Sequence, residues 1–192
     1  RIIKAVPVKR QTMLFSATFP AEVELLAKTS LIDPQKISMG ISKPAVTVTH
    51  ALYPVPQHLK SGLLIKLLKQ TDSDSVLIFT RTKHRADKVA RQIAHAGFRV
   101  TSLHGNRTQG QREQALHGFK TGHFPIMVAT DIAARGLDID SITHVINFDM
   151  PDTADAYIHR IGRTGRAQRT GDAFTLVTDE DKDMIRALER IM

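Results

Sequence analysis

The chain has 192 residues, 27 Lys and Arg against 19 Asp and Glu, a net charge of +8 and no cysteine. That length holds one full domain and part of another, and the lack of cysteine excludes disulfides, thiolate metal centres and cysteine nucleophiles. No apolar run reaches membrane-spanning length and no signal-peptide pattern opens the chain, so the expectation is a cytoplasmic protein with a polyanionic partner and no membrane contact.

Residues 12–15 (TMLF) form a short apolar run and are expected to be a buried strand entering a loop at Ser16-Ala17-Thr18. Pro20 marks a helix start, with Val23, Leu25, Leu26 and Ala27 inside the helix. Residues 40–46 (GISKPAV) carry Gly40 and Pro44 without periodicity and predict a linker. A regular alternation follows, with a strand near 47–55 and a helix near 57–70. Val76–Phe79 is a continuous apolar strand. Thr82 can cap the next helix, whose Ala86, Val89, Ala90, Ile93 and Ala94 share one face and which ends at Gly97. A strand at 99–103 precedes a helix at 108–121 closed by Gly122; strands at 126–129 and 144–148 come next, then a helix at 153–161, a strand at 172–177 and a helix at 180–191. Apolar strands separated by amphipathic helices predict an α/β fold, a mostly parallel sheet covered on both faces.

Ligands in such folds bind at the carboxyl ends of strands. Thr80-Arg81-Thr82, His104-Gly105-Asn106, Thr130-Asp131 and His159–Arg166 (HRIGRTGR) are all expected there. In HRIGRTGR, Arg160, Arg163 and Arg166 recur every third residue and so share a helical face that could converge on one anion. A solvated basic face is the plainer reading, but two helix-weakening glycines argue against it. Thr130 offers a hydroxyl and an amide to a phosphate at a helix start, although an ordinary helix cap explains it as well. Arg135 to Asp138 (RGLD) set a cation beside a carboxylate in a turn, either a surface ion pair or a nucleotide contact, since such carboxylates accept bonds from ribose hydroxyls.

SAT at 16–18, LIFTRT at 77–82, ATDIAARGLD at 129–138 and HRIGRTGR at 159–166, in that order, resemble the later motifs of DEAD-box ATP-dependent RNA helicases of superfamily 2. HGNRTQGQREQAL at 104–116 resembles the bacterial RhlE-like subgroup. The resemblance implies a second RecA-like domain at 47–192, a linker at 40–46, and the carboxyl-terminal remnant of a first, ATP-binding RecA-like domain at 1–39. It implies that Arg163 and Arg166 act as arginine fingers on the terminal phosphate of ATP, with His159 linking that site to the first domain. Gly136 and Asp138 would meet the nucleotide, and Ser16, Thr18 and Arg135 would couple the domains. Thr80, Arg81, Gly105, Arg112 and Thr130 would line an RNA backbone track. With no Trp and with Phe79, Phe119, Phe148 and Phe174 in core-like patterns, base stacking is not expected, and contacts to RNA should be independent of sequence.

The chain contains no GxxxxGK[ST] and no DEAD tetrapeptide, and no metal ligands of its own are expected. ATP with Mg2+ would be held mainly by the first domain, and the 192-residue chain alone should hydrolyse nothing. Two other readings stay open: a non-catalytic RNA- or partner-binding module, and a DNA-directed translocase of the same superfamily.

Overall fold

Val76–Phe79 is a strand, β2, with all four side chains buried. Val76 and Ile78 join one apolar cluster while Leu77 and Phe79 join another, so the strand is buried on both faces and tolerates no polar residue. The computed structural model describes residues 3, 5–16, 19, 21–38, 47–71, 74–135, 139, 142–165 and 170–190. They fall into two units, Arg1–Ser42 and Lys43–Met192.

In the larger unit β1 (Val48–Pro54), β2, β3 (Val100–Leu103), β4 (Ile126–Ala129), β5 (His144–Asn147) and β6 (Gly171–Val177) form one sheet in the order β1-β6-β5-β2-β4-β3. Every neighbouring pair is parallel, as the apolar runs predict. The register sets Phe79 opposite both Ala129 and Asn147, and Leu103 opposite Ala129. The carboxyl ends of β3, β4, β2 and β5 are therefore level. The residues that follow them stand in one row.

Helices α2 (Lys60–Gln70) and α3 (Lys83–His95) cover one face through Leu64, Leu67, Leu68, Ala86, Val89 and Ile93. The other face is covered by α4 (Gln109–Lys120) and the four-residue α5 (Asp131–Ala134), then by α6 (Ala154–Ile161) and α7 (Lys182–Glu189). The expected caps are present. Thr82 accepts from the Arg85 amide at 3.2 Å, and Thr108 with Gln111 forms a reciprocal capping box. Gly97 and Gly122, at φ +93° and +73°, release the chain from α3 and α4. Single 3-10 turns at Gln57–Leu59 and Asp179–Asp181 lead into α2 and α7, replacing the first residues of the helices expected there.

In the smaller unit α1 (Ala21–Ser30) forms as expected, braced by a Glu24–Lys28 pair at 2.9 Å. The buried strand expected at 12–15 does not form. Residues 11–16 carry no regular structure, and Met13 and Phe15 are 68% and 85% exposed. A strand needs a ladder partner, and every strand among the described residues lies between Val48 and Val177. Only Ala27 of α1 is buried, while Leu25, Leu26, Ile32 and Ile37 are exposed. The expected linker at 40–46 lies outside the described residues. Among the described residues no helix is long and apolar enough to cross a membrane.

Candidate functional site

At the carboxyl row, each expected residue has a distinct place. Thr80 is fully buried, its hydroxyl donating to the Thr82 carbonyl at 3.3 Å. It shapes the turn, and the exposed Arg81 is what the turn presents. The Arg81 amide donates to Asp149 Oδ2 at 2.9 Å, and its guanidinium reaches the Met150 carbonyl at 3.3 Å. Gly105 is exposed, and a Cβ there would meet nothing within 4 Å, so open space lies over its backbone. Arg112 is half-buried in the first turn of α4, and its Nε has no hydrogen-bond partner among the described residues. Thr130 starts α5 but its hydroxyl makes no cap bond, contrary to the plainer reading of it as a helix cap. A helix of four residues also has little dipole to offer an anion. Arg135 is exposed at the end of α5.

Two further clusters support this row, and of their members only Arg81, His104 and Asn106 were singled out in the sequence. Asp149, its side chain 4% exposed, accepts from Arg85 Nη1 at 2.6 Å as well as from the Arg81 amide. Beside it the buried Lys60 donates to the Phe148 carbonyl at 3.0 Å. Burial pushes the Lys60 amine below the usual lysine value, opposed by Asp149 and Asp181. These residues line a hollow of about 220 Å³. On the far side, Asp87 of α3 holds the loop after β3. His104 Nε2 lies 2.9 Å from its carboxylate, Arg107 Nη2 3.1 Å and Ser102 Oγ 3.2 Å. Burial raises the Asp87 carboxyl, but these three partners outweigh it and hold it below the ordinary aspartate value. Lys83 adds a bond to Asn106 at 2.9 Å, so the loop carrying Gly105 is tied to α3 from both sides.

The arginine triplet divides. Arg160 is 2% exposed and does not face solvent with Arg163. Its Nε and Nη2 donate to the two Asp131 oxygens at 2.6 and 2.7 Å, a bidentate fork. Nη1 donates to Asn147 Oδ1 at 3.1 Å and to the Asp149 carbonyl at 2.7 Å, and the guanidinium lies 5.0 Å from the Phe79 ring centre. Every side of the group is occupied by protein. The expectation of three arginines on one anion is corrected, because Arg160 joins β2, β5 and α5 instead.

The place of HRIGRTGR is corrected too. Its Arg160 guanidinium reaches the carboxyl-end groups Asp131, Asn147 and Asp149, but the residues after α6 do not stand with them. α6 runs back along the sheet after β5, and the loop beyond it sits at the amino ends: Thr164 Oγ1 donates to the Ile142 and Thr143 carbonyls at 2.6 and 2.9 Å, just before β5. His159 is exposed in the last turn of α6 and Arg163 is half-buried, its amide donating to the Arg160 carbonyl at 3.1 Å. All four clusters were expected at the carboxyl ends, whereas Thr164 and Gly165 lie at the end of the sheet opposite Arg81, Gly105 and Thr130. Ser16 is exposed in the smaller unit. Thr18, Gly136, Asp138 and Arg166 lie outside the described residues.

Comparison with known proteins agrees with this architecture. The family described as helicase conserved C-terminal domain matches residues 59–168. The DEAD-box ATP-dependent RNA helicase 30 of Arabidopsis thaliana is 44% identical over 195 residues, covering 100% of this chain and 33% of its own length. The DEAD-box ATP-dependent RNA helicase CshA of Bacillus licheniformis is 40% identical over 190 residues, covering 98% of this chain and 39% of its own length. The chain therefore spans about a third of the length of these relatives. Among solved structures, S. cerevisiae Dbp5 bound to RNA and ADP BeF3 is 28% identical with a TM-score of 0.88, over 99% of this chain and 51% of that one.

Proposed function

We propose, since this chain belongs to the family of helicase conserved C-terminal domains, that it is the second RecA-like lobe of an ATP-dependent DEAD-box RNA helicase. Residues 47–192 are that lobe, 40–46 the linker, and 1–39 the tail of the first lobe. The exposed Leu25, Leu26, Ile32 and Ile37 support the last point, since such side chains suit the surface of a larger core. The finer likeness of residues 104–116 to the RhlE-like subgroup belongs to the same proposal.

The carrying observation is the division of the polar groups between the two ends of the sheet. Arg81, Gly105, Arg112 and Thr130 stand near one end, where an RNA backbone can run across a level row. Thr80 acts there through the turn it holds. Toward the other end, the last turn of α6 carries the exposed His159 and the turn after it the half-buried Arg163, a ring and a guanidinium suited to phosphate oxygens. Those groups fit one side of a nucleotide, and the chain has no lysine-bearing glycine loop to hold the rest. ATP with Mg2+ supplies the phosphoryl group, held mainly by the first lobe. Arg163 and Arg166 stabilise the charge that develops on it, His159 links to the first lobe, and Gly136 and Asp138 meet the ribose. Ser16, Thr18 and Arg135 couple the lobes. The setting is cytoplasmic, and RNA is bound without sequence preference.

The test is Arg163→Ala and Arg166→Ala in the full-length protein, read by ATP turnover and RNA affinity. Turnover should fall about a thousandfold or more while RNA binding persists. Lost RNA affinity in a protein with no turnover to lose would favour a binding module. Equal stimulation by single-stranded DNA would favour a DNA translocase.

A further inference from the structure

We propose that Thr47 and Thr164 clamp the arginine-bearing loop, so that the entry to β1 and that loop are positioned as one body; this rests on the reading of the chain as a helicase lobe. Thr164 is 1% exposed, and its hydroxyl lies within bonding distance of two carbonyls, Ile142 at 2.6 Å and Thr143 at 2.9 Å. Next to it Gly165 adopts φ +67°, and a Cβ there would lie 2.5 Å from Val48 Cγ2 and 2.9 Å from Thr47 Oγ1. The Thr47 hydroxyl closes the other side, donating to the Gly165 carbonyl at 3.0 Å. The Gly171 amide in turn donates to the Thr47 carbonyl at 3.0 Å, and a Cβ on Gly171 would run into the Thr164 hydroxyl.

Four segments thus interlock through two hydroxyls and two side-chain-free positions: the entries to β1, β5 and β6 and the loop itself. Arg163 and Arg166 flank this Thr164-Gly165 pair in the sequence. A group that must meet a transition state within a fraction of an ångström gains from such bracing, since a misplacement of about 1 Å can cost on the order of a hundredfold in rate. Thr47 also follows directly in sequence on the expected linker, and its hydroxyl holds the carbonyl of Gly165, two residues after Arg163. Both threonines are positioning residues, and neither is proposed to touch the nucleotide.

The experiment uses the full-length protein with Thr47→Val, Thr164→Val and the matching Thr→Ser variants. Valine removes the hydroxyl at nearly constant volume, and serine restores it. Each valine variant is expected to lower kcat for RNA-stimulated ATP hydrolysis about tenfold or more, with KM for ATP within about twofold and with serine recovering most of the loss. If Thr164→Val fails to fold, the half-buried Thr47 carries the test. A Thr47→Val protein turning over at the wild-type rate overturns the clamp, as does a serine variant no faster than its valine counterpart. Arg163→Ala runs in the same assay. If it too leaves turnover unchanged, the helicase reading has failed and not the clamp alone.

Discussion

Replacing Arg160 with alanine separates a structural arginine from a ligand-binding one. The side chain donates four hydrogen bonds, at 2.6, 2.7, 3.1 and 2.7 Å. Breaking a buried ion pair by removing one partner costs about 3–5 kcal/mol. Asp131 keeps 40% of its side chain exposed, which places its share at the low end because water can solvate the orphaned carboxylate. Asn147 and the Asp149 carbonyl have no such recourse, since both residues are buried. An unsatisfied buried acceptor costs about 1–3 kcal/mol. Taking the low end of each range, a total of about 5 kcal/mol follows, and at about 2–4 °C per kcal/mol for a chain of this size the melting temperature should fall by about 10–20 °C. Thermal unfolding of the purified chain is the assay. Arg160→Lys should recover less than half of the loss, because an ammonium cannot reproduce the planar fork. A melting point within about 3 °C of wild type would refute the reasoning, since such a shift is about 1 kcal/mol, the worth of a solvated side chain.

Three further outcomes follow from the same geometry. Gly165→Ala adds the strain of a left-handed residue to a steric clash, and should lower the urea midpoint by an amount worth about 2–4 kcal/mol; an unchanged midpoint would contradict the packing described. Thr108→Ala removes the capping box of α4 and should cost about 1 kcal/mol, read by the same unfolding curve. Asp87→Asn should destabilise the chain at neutral pH. Because the folded carboxyl sits below its unfolded value, its contribution is present above the ordinary aspartate value and is lost as pH falls through the lowered one. The difference between wild type and variant should shrink on acidification, and a gap that widens would reverse the assigned sign.

Some of this was legible from residues alone. Val76–Phe79 is apolar throughout because both faces are buried, and that pattern identifies a central parallel strand without a partner in view. Thr82 and Gly97 bound α3 by local rules of capping and handedness. TMLF at 12–15 has the same appearance as a strand, but pairing depends on a neighbour that no local pattern supplies. Arg160 has three-residue spacing with Arg163, yet its partners Asp131 and Asn147 lie 29 and 13 residues away, so tertiary contact overrides the helical face. The end of the sheet reached by Thr164 and Gly165 was legible in principle. A helix between two parallel strands must return the chain to the amino end, and residues 162–170 precede β6. Asp87, Asp149 and Thr47 carry no motif, and only the folded register brings them to their partners.

The central claim is that this chain brings arginines to a nucleotide it does not itself hold. Steady-state ATP hydrolysis, measured with saturating single-stranded RNA on the purified 192-residue chain beside the full-length protein, tests it directly. The account predicts RNA-stimulated turnover in the full-length protein and none above background in the chain. RNA-stimulated turnover by the chain alone would contradict it.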